Sequence, residues 1–233
     1  MTKEQKEYII GVDDAGRGPV IGPMIIAAAL FDKKAGAILK NLGVKDSKML
    51  FPSVREKLFK EIEELSEDSE IVKIMPEEID NAVNTPGFNL NRLEAAKMGY
   101  AINRVAKNLP ADAKITVYVD CPSVNILKWK NILLEYIERK DLNIKAEHKC
   151  DVNHVECSAA SILAKVTRDE EITKIKKWIN EDFGSGYPSD PMTIDFLKKN
   201  MKKYQEFKIF RESWQTFKNH SKEKKQKGLD EFQ

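Results

Sequence analysis

Asp13 and Asp14, two adjacent carboxylates, follow an apolar, β-branched run at residues 8–12. Such a run is typical of a buried strand, and charged groups at its end are costly to bury unless a cation meets them. The turn Gly-Arg-Gly-Pro follows at residues 16–19 and brings a guanidinium and two conformationally permissive glycines close to the acids. This stretch therefore predicts a divalent metal site beside a place where a phosphate backbone can approach. The alternative is an Asp-rich turn with a structural role alone, since Asp and Gly are common turn residues.

Two further acids, Asp120 and Asp151, are predicted at or near strand ends. Residues 115–119 form the clearest strand of the sequence and lead into Asp120, while Asp151 follows a strand expected near residues 143–149. If the first and fourth strands are neighbours, Asp13 and Asp120 lie about 5 Å apart, and paired divalent ions in phosphodiester chemistry lie about 3.5–4 Å apart. Carboxylate oxygens favour Mg²⁺ or Mn²⁺ over Zn²⁺. Without such a cation, repulsion would keep some of the four acids protonated at pH 7.

A zinc site is a competing interpretation of the segment around Asp151. Four side chains that can ligate zinc lie within ten residues: His148, Cys150, His154 and Cys157. Their spacing is irregular, and a zinc ion there would crowd Asp151. The favoured interpretation is therefore two half-buried cysteines and two ordinary histidines.

Predicted strands and helices alternate through most of the chain. Strands are expected at about residues 8–13, 24–31, 70–75, 115–119 and 143–149, and helices at about 90–108, 124–139 and 157–181. In the helix at 124–139, Ser123 is the expected cap, and Val124, Leu127 and Leu134 are expected among the apolar positions. This order indicates an α/β sheet with a leading antiparallel meander, in which sites gather at strand ends.

The composition suits a protein of the reducing cytosol. The 233 residues, 42% of them apolar, fit one large domain or a domain with an extension. No apolar run is long enough for a transmembrane helix, and the short, charged N-terminus lacks the apolar core of a signal peptide. Three cysteines argue against a disulfide framework. We therefore expect a cytoplasmic location and no membrane partner.

Positive charge concentrates near the C-terminus, although the net charge is only +2. Two basic amphipathic helices are expected at about 192–202 and 208–221, and Arg211 is one of many basic residues between 198 and 227. A basic surface of this kind attracts a polyanion such as nucleic acid. A solvated helix face is the alternative.

Several motifs, taken in order, resemble those of type 2 ribonucleases H, ribonuclease HII in particular, over residues 8 to about 214. They are the acid pair with its Gly-Arg-Gly turn, Val119-Asp120-Cys121-Pro122, Asp151 ahead of the helical Ser158–Asp169 segment, and Gly184-Ser185-Gly186-Tyr187-Pro188-Ser189-Asp190-Pro191. The resemblance implies a ribonuclease H-like mixed β-sheet flanked by helices, with a C-terminal helical extension. We accordingly expect a catalytic domain at 1–191, the extension at 192–221, and a basic linker with a tail at 222–233.

The resemblance also implies an activity and its metal site. Ribonuclease HII hydrolyses the RNA strand of RNA/DNA hybrids and cuts 5′ of ribonucleotides embedded in duplex DNA, leaving 3′-OH and 5′-phosphate ends. Two Mg²⁺ or Mn²⁺ ions would be held by Asp13, Asp14, Asp120 and Asp151. The family has Glu where this chain has Asp14, which puts the metal preference in doubt. It also leaves a catalytically impaired hybrid-binding or clamp-binding subunit as the alternative function.

The resemblance assigns substrate contacts to three further places. Gly16, Arg17 and Gly18 correspond to the turn that senses the 2′-OH, and Tyr187 to the tyrosine that stacks at the RNA–DNA junction. Lys45, Asp46, Ser47 and Lys48 match a loop that contacts phosphate. Lys165, on the long helix, is expected to reach the site or a phosphate.

The last residues resemble the clamp-interaction box of archaeal replication proteins. Gln226, Leu229 and Phe232 hold three positions of that box, while Gln233 replaces its second aromatic residue. Such a tail docks as a short helical turn with Leu and Phe as anchors. We therefore expect a single active chain, a monomer, that can bind a sliding clamp, with a frayed charged end as the alternative.

Overall fold

The structure, a computed structural model, describes residues 5–221. One five-stranded sheet has the order β3-β2-β1-β4-β5. The strands are β1 (Glu7–Ala15), β2 (Met24–Asp32), β3 (Asp68–Ile74), β4 (Lys114–Asp120) and β5 (Asn143–Glu147). β1 pairs antiparallel with β2 and parallel with β4, and β4 pairs parallel with β5. The expected mixed sheet is confirmed, and its first two strands, β1 and β2, are antiparallel.

Helices follow or separate the strands. They are α1 (Ala35–Asn41), α2 (Pro52–Leu65), α3 (Pro76–Asn84), α4 (Leu90–Ala106), α5 (Ile126–Glu135), α6 (Cys150–Asn153), α7 (Val155–Ile179) and α8 (Pro191–Tyr204). Short 3₁₀ turns lie at Ser47–Met49 and Gln205–Phe207, and residues 215–221 are helical. No helix within the described part of the chain is both long and apolar enough to span a bilayer.

Two helix predictions need correction. The helix expected at 208–221 is helical only at 215–221, because Lys208 takes a positive φ of 55° and the next residues bond to residues 20–22 instead. The helix expected at 124–139 spans Ile126–Glu135 and is capped by Asn125, not Ser123. Val124, Leu127 and Leu134 are exposed, whereas Trp129 and Leu133 are the buried apolar residues of this helix.

Contacts divide the chain into two compact units. Unit 1 comprises residues up to Ala15, Ile25–Lys73 and Asn91–Thr167, and unit 2 comprises Gly16–Met24, Ile74–Leu90 and the residues from Arg168 onward. The boundaries expected at residues 191 and 221 are defined by motif and composition, and they stay predictions.

Unit 1 has its core between β2, α1, α2 and the first part of α7, with residues such as Phe31, Ile62 and Leu163 fully buried. β1 approaches α7 so closely that a Cβ on Gly11 would lie 2.0 Å from the backbone oxygen of Glu156. Glycine at this position therefore lets the acid-bearing end of β1 lie directly against α7.

Unit 2 has an aromatic core of its own. Phe183, Tyr204 and Phe210 are buried around Phe196, with ring centroids 5.7, 5.7 and 6.3 Å from the ring of Phe196. Ile21 belongs to the same cluster. The segment that follows the acid pair is therefore anchored in a packed hydrophobic core.

Candidate active site

Asp13 and Asp120 are positioned by adjacent parallel strands of unit 1. Val12 of β1 lies opposite Val119 of β4, so the two aspartates are the next residues on neighbouring strands. Asp13 is only 5% exposed. Burial, together with the negative charges of Asp14 and Asp120, raises the pKa of Asp13 well above its ordinary value, although hydrogen bonds from Ser161 and from the Asp14 N–H oppose the rise.

Asp151 joins the same group from α6. The backbone N–H of Cys150 donates to Asp120 Oδ1 at 2.8 Å and ties the end of β4 to the start of α6. Burial raises the pKa of Asp120; the Cys150 N–H bond opposes this, and the charge of Asp151 adds to it. The negative charges of Asp14 and Asp120 thus act on Asp13, and the negative charge of Asp151 acts on Asp120.

Lys48 brings a positive charge to this cluster. Its Nζ lies 3.6 Å from Asp151 Oδ2, while the rest of the side chain is largely exposed. Partial burial alone would lower the pKa of Lys48, but the charges of Asp151, Asp46 and Asp13 outweigh it and the pKa is raised. The predicted phosphate loop thus lies beside the predicted metal ligands.

Buried contacts hold the Lys48 loop in place. The Ser47 hydroxyl is buried and lies 3.0 Å from that of Ser161, while Asp46 accepts the Lys48 N–H at 2.9 Å. The buried Arg55 side chain donates to the carbonyl oxygens of Ser47 and Leu50 at 3.2 and 2.7 Å. Sequence reasoning missed this role of Arg55, because nothing in its spacing distinguishes it from a surface arginine of an amphipathic helix.

The other two predicted lysines lie on the same unit. Lys45 is exposed just before the loop, and Lys165 is half-buried on α7. Lys165 lies four residues after Ser161, the residue that bonds to Asp13, so the two share one face of the helix.

The chemistry of the four acids fits a hard divalent cation. Among residues 5–221, no three Asp, Glu, His or Cys side chains already converge tightly enough to enclose a metal ion. Burial raises the pKa of both Asp13 and Asp120, and the charges of neighbouring acids, Asp14 and Asp120 for Asp13 and Asp151 for Asp120, add to the rise. Oxygen donors of this kind suit Mg²⁺ or Mn²⁺.

The zinc interpretation gains no support, because its four candidate ligands have other contacts. His148 Nδ1 lies 3.1 Å from the Cys121 carbonyl oxygen, and the His154 ring stacks on Tyr118 with centroids 3.6 Å apart. The Cys157 thiol donates to the Val12 carbonyl at 3.2 Å, and burial raises its pKa well above the usual value, which disfavours the thiolate that zinc requires.

Unit 2 contains the Gly16-Arg17-Gly18 turn and Tyr187. Gly16 has φ = 84°, and a Cβ there would lie 2.7 Å from Arg168 Cδ and 2.9 Å from the Pro23 carbonyl oxygen, so only glycine fits. A Cβ on Gly18 would lie 3.6 Å from the Tyr187 ring. The structure thus brings the predicted turn and the predicted stacking residue into contact.

Arg168 packs its guanidinium over the ring of Tyr187. Its guanidinium carbon lies 4.9 Å from the Tyr187 ring centroid, and its Nη2 donates to the Ser185 carbonyl oxygen at 2.8 Å. It also lies 3.5 Å from Asp169. The guanidinium over one face of the ring helps to orient Tyr187.

Arg211 lies at the turn itself, a position that its sequence pattern does not indicate. We predicted Arg211 as part of a basic surface; instead it is fully buried and donates to backbone carbonyl oxygens of residues 16, 17 and 22. Charge counting cannot identify such a residue, since its partners lie about 190 positions away in the sequence. The predicted tail residues Gln226, Leu229 and Phe232 lie outside the described residues.

The comparisons with known proteins agree on one family. The ribonuclease HII family model matches residues 10–217. The ribonuclease HII of Pyrococcus furiosus is 42% identical over 227 residues, which cover 95% of this chain and 96% of that protein.

Solved structures extend the likeness to the fold. The ribonuclease H2 of Pyrococcus horikoshii OT3 is 39% identical with a TM-score of 0.80, covering 93% of this chain and 98% of that one. Ribonuclease HII of Archaeoglobus fulgidus, solved in complex with PCNA, is 34% identical with a TM-score of 0.78, covering 91% and 96%. The expected ribonuclease H-like fold is confirmed.

Proposed function

Since this chain belongs to the ribonuclease HII family and is a ribonuclease H endonuclease, we propose that it cuts the RNA strand of RNA/DNA hybrids and cuts 5′ of single ribonucleotides in duplex DNA. The products are a 3′-OH and a 5′-phosphate. One observation carries the proposal: Asp13 is buried at the end of β1, beside the strand that ends in Asp120, and burial together with the charges of Asp14 and Asp120 raises its pKa.

We assign the metal site that the family requires to the four acids. Asp13, Asp14, Asp120 and Asp151 would hold two Mg²⁺ or Mn²⁺ ions, which when bound activate the attacking water and stabilise the leaving 3′ oxygen. Asp13 would be the central residue of this ligand set, because it is buried and the charges of both Asp14 and Asp120 act on it.

The chain's own cations then act on the phosphate. Lys48, 3.6 Å from Asp151, can donate to a non-bridging oxygen of a phosphate bound at the acids. The contacts of Ser47 with Ser161 and of Arg55 with the loop carbonyls limit the movement of Lys48. Lys165 contacts the phosphate or its neighbour from α7.

Recognition of the ribonucleotide belongs to the Gly16-Arg17-Gly18 turn and Tyr187. The 2′-OH is the group that separates RNA from DNA at a single position. The turn presents backbone groups without an intervening side chain at Gly16 and Gly18, and Tyr187, held by Arg168, offers a flat ring for stacking on the adjacent sugar or base.

Cleavage of a labelled DNA duplex containing one ribonucleotide tests this function. We expect a single cut 5′ of the ribonucleotide with Mg²⁺ or Mn²⁺, and no cut in the matched all-DNA duplex or in chelator. End-group analysis should find 3′-OH and 5′-phosphate. Cleavage of the all-DNA duplex at a similar rate, or a cut 3′ of the ribonucleotide, would refute the proposal.

We further propose that this chain binds a sliding clamp through Gln226, Leu229 and Phe232. The support is the match to the clamp-interaction pattern and the A. fulgidus ribonuclease HII, solved in complex with PCNA. Leu and Phe would be the apolar anchors, as in other short helical docking peptides.

Replacement of both anchors, Leu229→Ala with Phe232→Ala, should lower affinity for PCNA at least tenfold while the cleavage rate without PCNA stays unchanged. The matched control is Lys225→Ala with Lys227→Ala, which alters the charged linker and leaves both anchors in place. Clamp binding that survives loss of both anchors would show that the contact lies elsewhere.

A further inference from the structure

The structure assigns Arg211, assisted by Trp214, as the residue that positions the Gly16-Arg17-Gly18 turn so that the N–H groups of Arg17 and Gly18 face the ribonucleotide. The inference rests on the proposed function, in which this turn reads the 2′-OH. It adds the group that sets the direction of the turn's backbone donors.

The Arg211 guanidinium is fully buried and donates to three backbone carbonyl oxygens. Nη2 lies 2.6 Å from the Gly16 oxygen, Nη1 lies 2.8 Å from the Arg17 oxygen, and Nε lies 3.0 Å from the Gly22 oxygen. A rigid, planar fork of donors suits three carbonyls at fixed directions better than a lysine ammonium does.

Trp214 bonds to a third carbonyl oxygen of the same turn. Its Nε1 donates to the Gly18 carbonyl oxygen at 3.2 Å, and the Arg211 guanidinium lies 5.0 Å from the centroid of its ring. The oxygens of Gly16, Arg17 and Gly18, three successive residues, are therefore all bonded to the Arg211–Trp214 pair.

These bonds fix the opposite side of each peptide group. The described peptide bonds are trans, and in a planar trans peptide the C=O and the next N–H point in opposite directions. With the Gly16 and Arg17 oxygens directed at Arg211, the N–H groups of Arg17 and Gly18 are directed away from it. Pro19, which follows the Gly18 carbonyl, has no N–H, so the carbonyls held by Arg211 and Trp214 direct two N–H groups to the opposite side of the turn, those of Arg17 and Gly18.

The exposure of the turn agrees with this direction. Gly16 is buried against Arg168 and Arg211, Arg17 is half-buried, and Gly18 is exposed. The N–H groups of Arg17 and Gly18 thus point away from the buried Arg211 side chain and toward the exposed side of the turn, which a nucleic acid can reach.

The segment that carries Arg211 is itself firmly held. The Gly22 N–H donates to the Ile209 oxygen at 2.9 Å, and the Arg211 N–H donates to the Val20 oxygen at 2.8 Å. Asp80 accepts the backbone N–H groups of Glu212 and Ser213 at 2.8 and 3.0 Å. Arg211 therefore acts from a fixed base, as a positioning residue should.

Arg211→Lys and Trp214→Phe test the inference. The probes are a DNA duplex with one ribonucleotide and the same duplex in all-DNA form, each titrated in chelator so that binding is measured without cleavage. For wild type we expect tighter binding to the ribonucleotide duplex. Each variant should lose at least fivefold of this preference, with affinity for the all-DNA duplex within twofold of wild type.

Arg139→Lys is the matched control. Arg139 also donates to three backbone carbonyls, those of Ala106, Leu109 and Pro110, but at a turn of unit 1 with no assigned substrate contact. Its replacement should lower thermal stability and leave the ribonucleotide preference intact. Trp214→Phe removes one hydrogen bond from a half-buried side chain, and it carries the test if Arg211→Lys does not fold.

The outcomes separate the two claims. If wild type neither prefers nor cuts the ribonucleotide duplex, the proposed function fails. If wild type does both and folded Arg211→Lys and Trp214→Phe retain the full preference, the positioning role is wrong while the proposed function stands. An equal loss of preference in Arg139→Lys would also overturn it, because the effect would then be one of general stability.

Discussion

Asp13 in unit 1 and Arg211 in unit 2 are both charged and almost fully buried, yet their surroundings differ. Arg211 lies among carbonyl oxygens that accept its N–H groups, so its charge is compensated within the protein. Asp13 lies beside other carboxylates, and its burial together with the charges of Asp14 and Asp120 raises its pKa. A compensated buried charge fixes a backbone, whereas an uncompensated cluster creates affinity for a cation from outside.

The largest effect should follow from removing one acid of the uncompensated cluster. Asp120→Asn is expected to lower kcat about a thousandfold, or about 4 kcal/mol, because one oxygen ligand loses its charge and metal-assisted stabilisation of the transition state falls. The measurement is single-turnover cleavage of the ribonucleotide duplex with each metal. The matched control is Asp141→Asn, an exposed acid paired with Arg139, which should cleave at the wild-type rate. An Asp120→Asn enzyme within tenfold of wild type would contradict the comparison.

A smaller effect is expected from lengthening an acid of the same cluster. Asp14→Glu restores the family's residue and advances the carboxylate by about 1.5 Å, one carbon–carbon bond. We expect the ratio of Mg²⁺-supported to Mn²⁺-supported rates to rise about threefold to tenfold, since Mg²⁺ tolerates a loose shell less well. Asp32→Glu, at the other end of the β1–β2 pair, is the control. An unchanged ratio and rate would show that the shorter side chain has no consequence.

The smallest effect concerns the pH dependence of stability without metal. An acid whose pKa is higher in the folded than in the unfolded state, as for Asp13, lowers the free energy of unfolding as pH rises from about 4 through the folded pKa. Asp13→Asn should therefore be more stable than wild type at pH 7 in chelator. The difference should shrink toward pH 4, as measured by urea unfolding.

Asp182→Asn serves as the control of opposite sign. Hydrogen bonds from Lys176 and from the Gly184 N–H hold the pKa of Asp182 below its ordinary value, so that acid contributes stability above the unfolded pKa, and this contribution is lost as pH falls. Its replacement should slightly destabilise the protein at pH 7. If Asp13→Asn changes stability in the same direction as Asp182→Asn, the assignment of excess charge to Asp13 is wrong.

The two regions also differ in how far the sequence predicts them. The end of β1 and the end of β4 were predictable, because β-branched runs mark both strands and parallel neighbours bring their ends together. Asp151 could be identified from its motif, but its approach to Lys48 depends on the tertiary positions of α6 and the loop. The residue-level roles of the acids remain predictions.

The Gly16-Arg17-Gly18 turn was predictable only in part. Glycines on both sides of an arginine predict a tight turn, but the residue that bonds to its carbonyl oxygens is Arg211. Arg211 reaches the turn because the chain changes direction at Lys208, which hydrophobic periodicity does not reveal. A similar limit applies to α5, whose cap is Asn125 and not the expected Ser123, and whose buried residues are Trp129 and Leu133. Local patterns locate elements, while cap position and long-range hydrogen bonds decide which side chains they present.

The most direct test of the central claim is the thermal unfolding midpoint of wild type and Asp13→Asn, each with chelator and with saturating Mn²⁺. The account predicts that metal at about a hundredfold excess over its Kd raises the wild-type midpoint by about 5–10 °C. It predicts that Asp13→Asn unfolds at a higher temperature than wild type in chelator and shows little further rise with metal. Equal metal-induced shifts in both proteins, or a less stable Asp13→Asn in chelator, would contradict the claim that Asp13 lies at the centre of an uncompensated, cation-binding cluster.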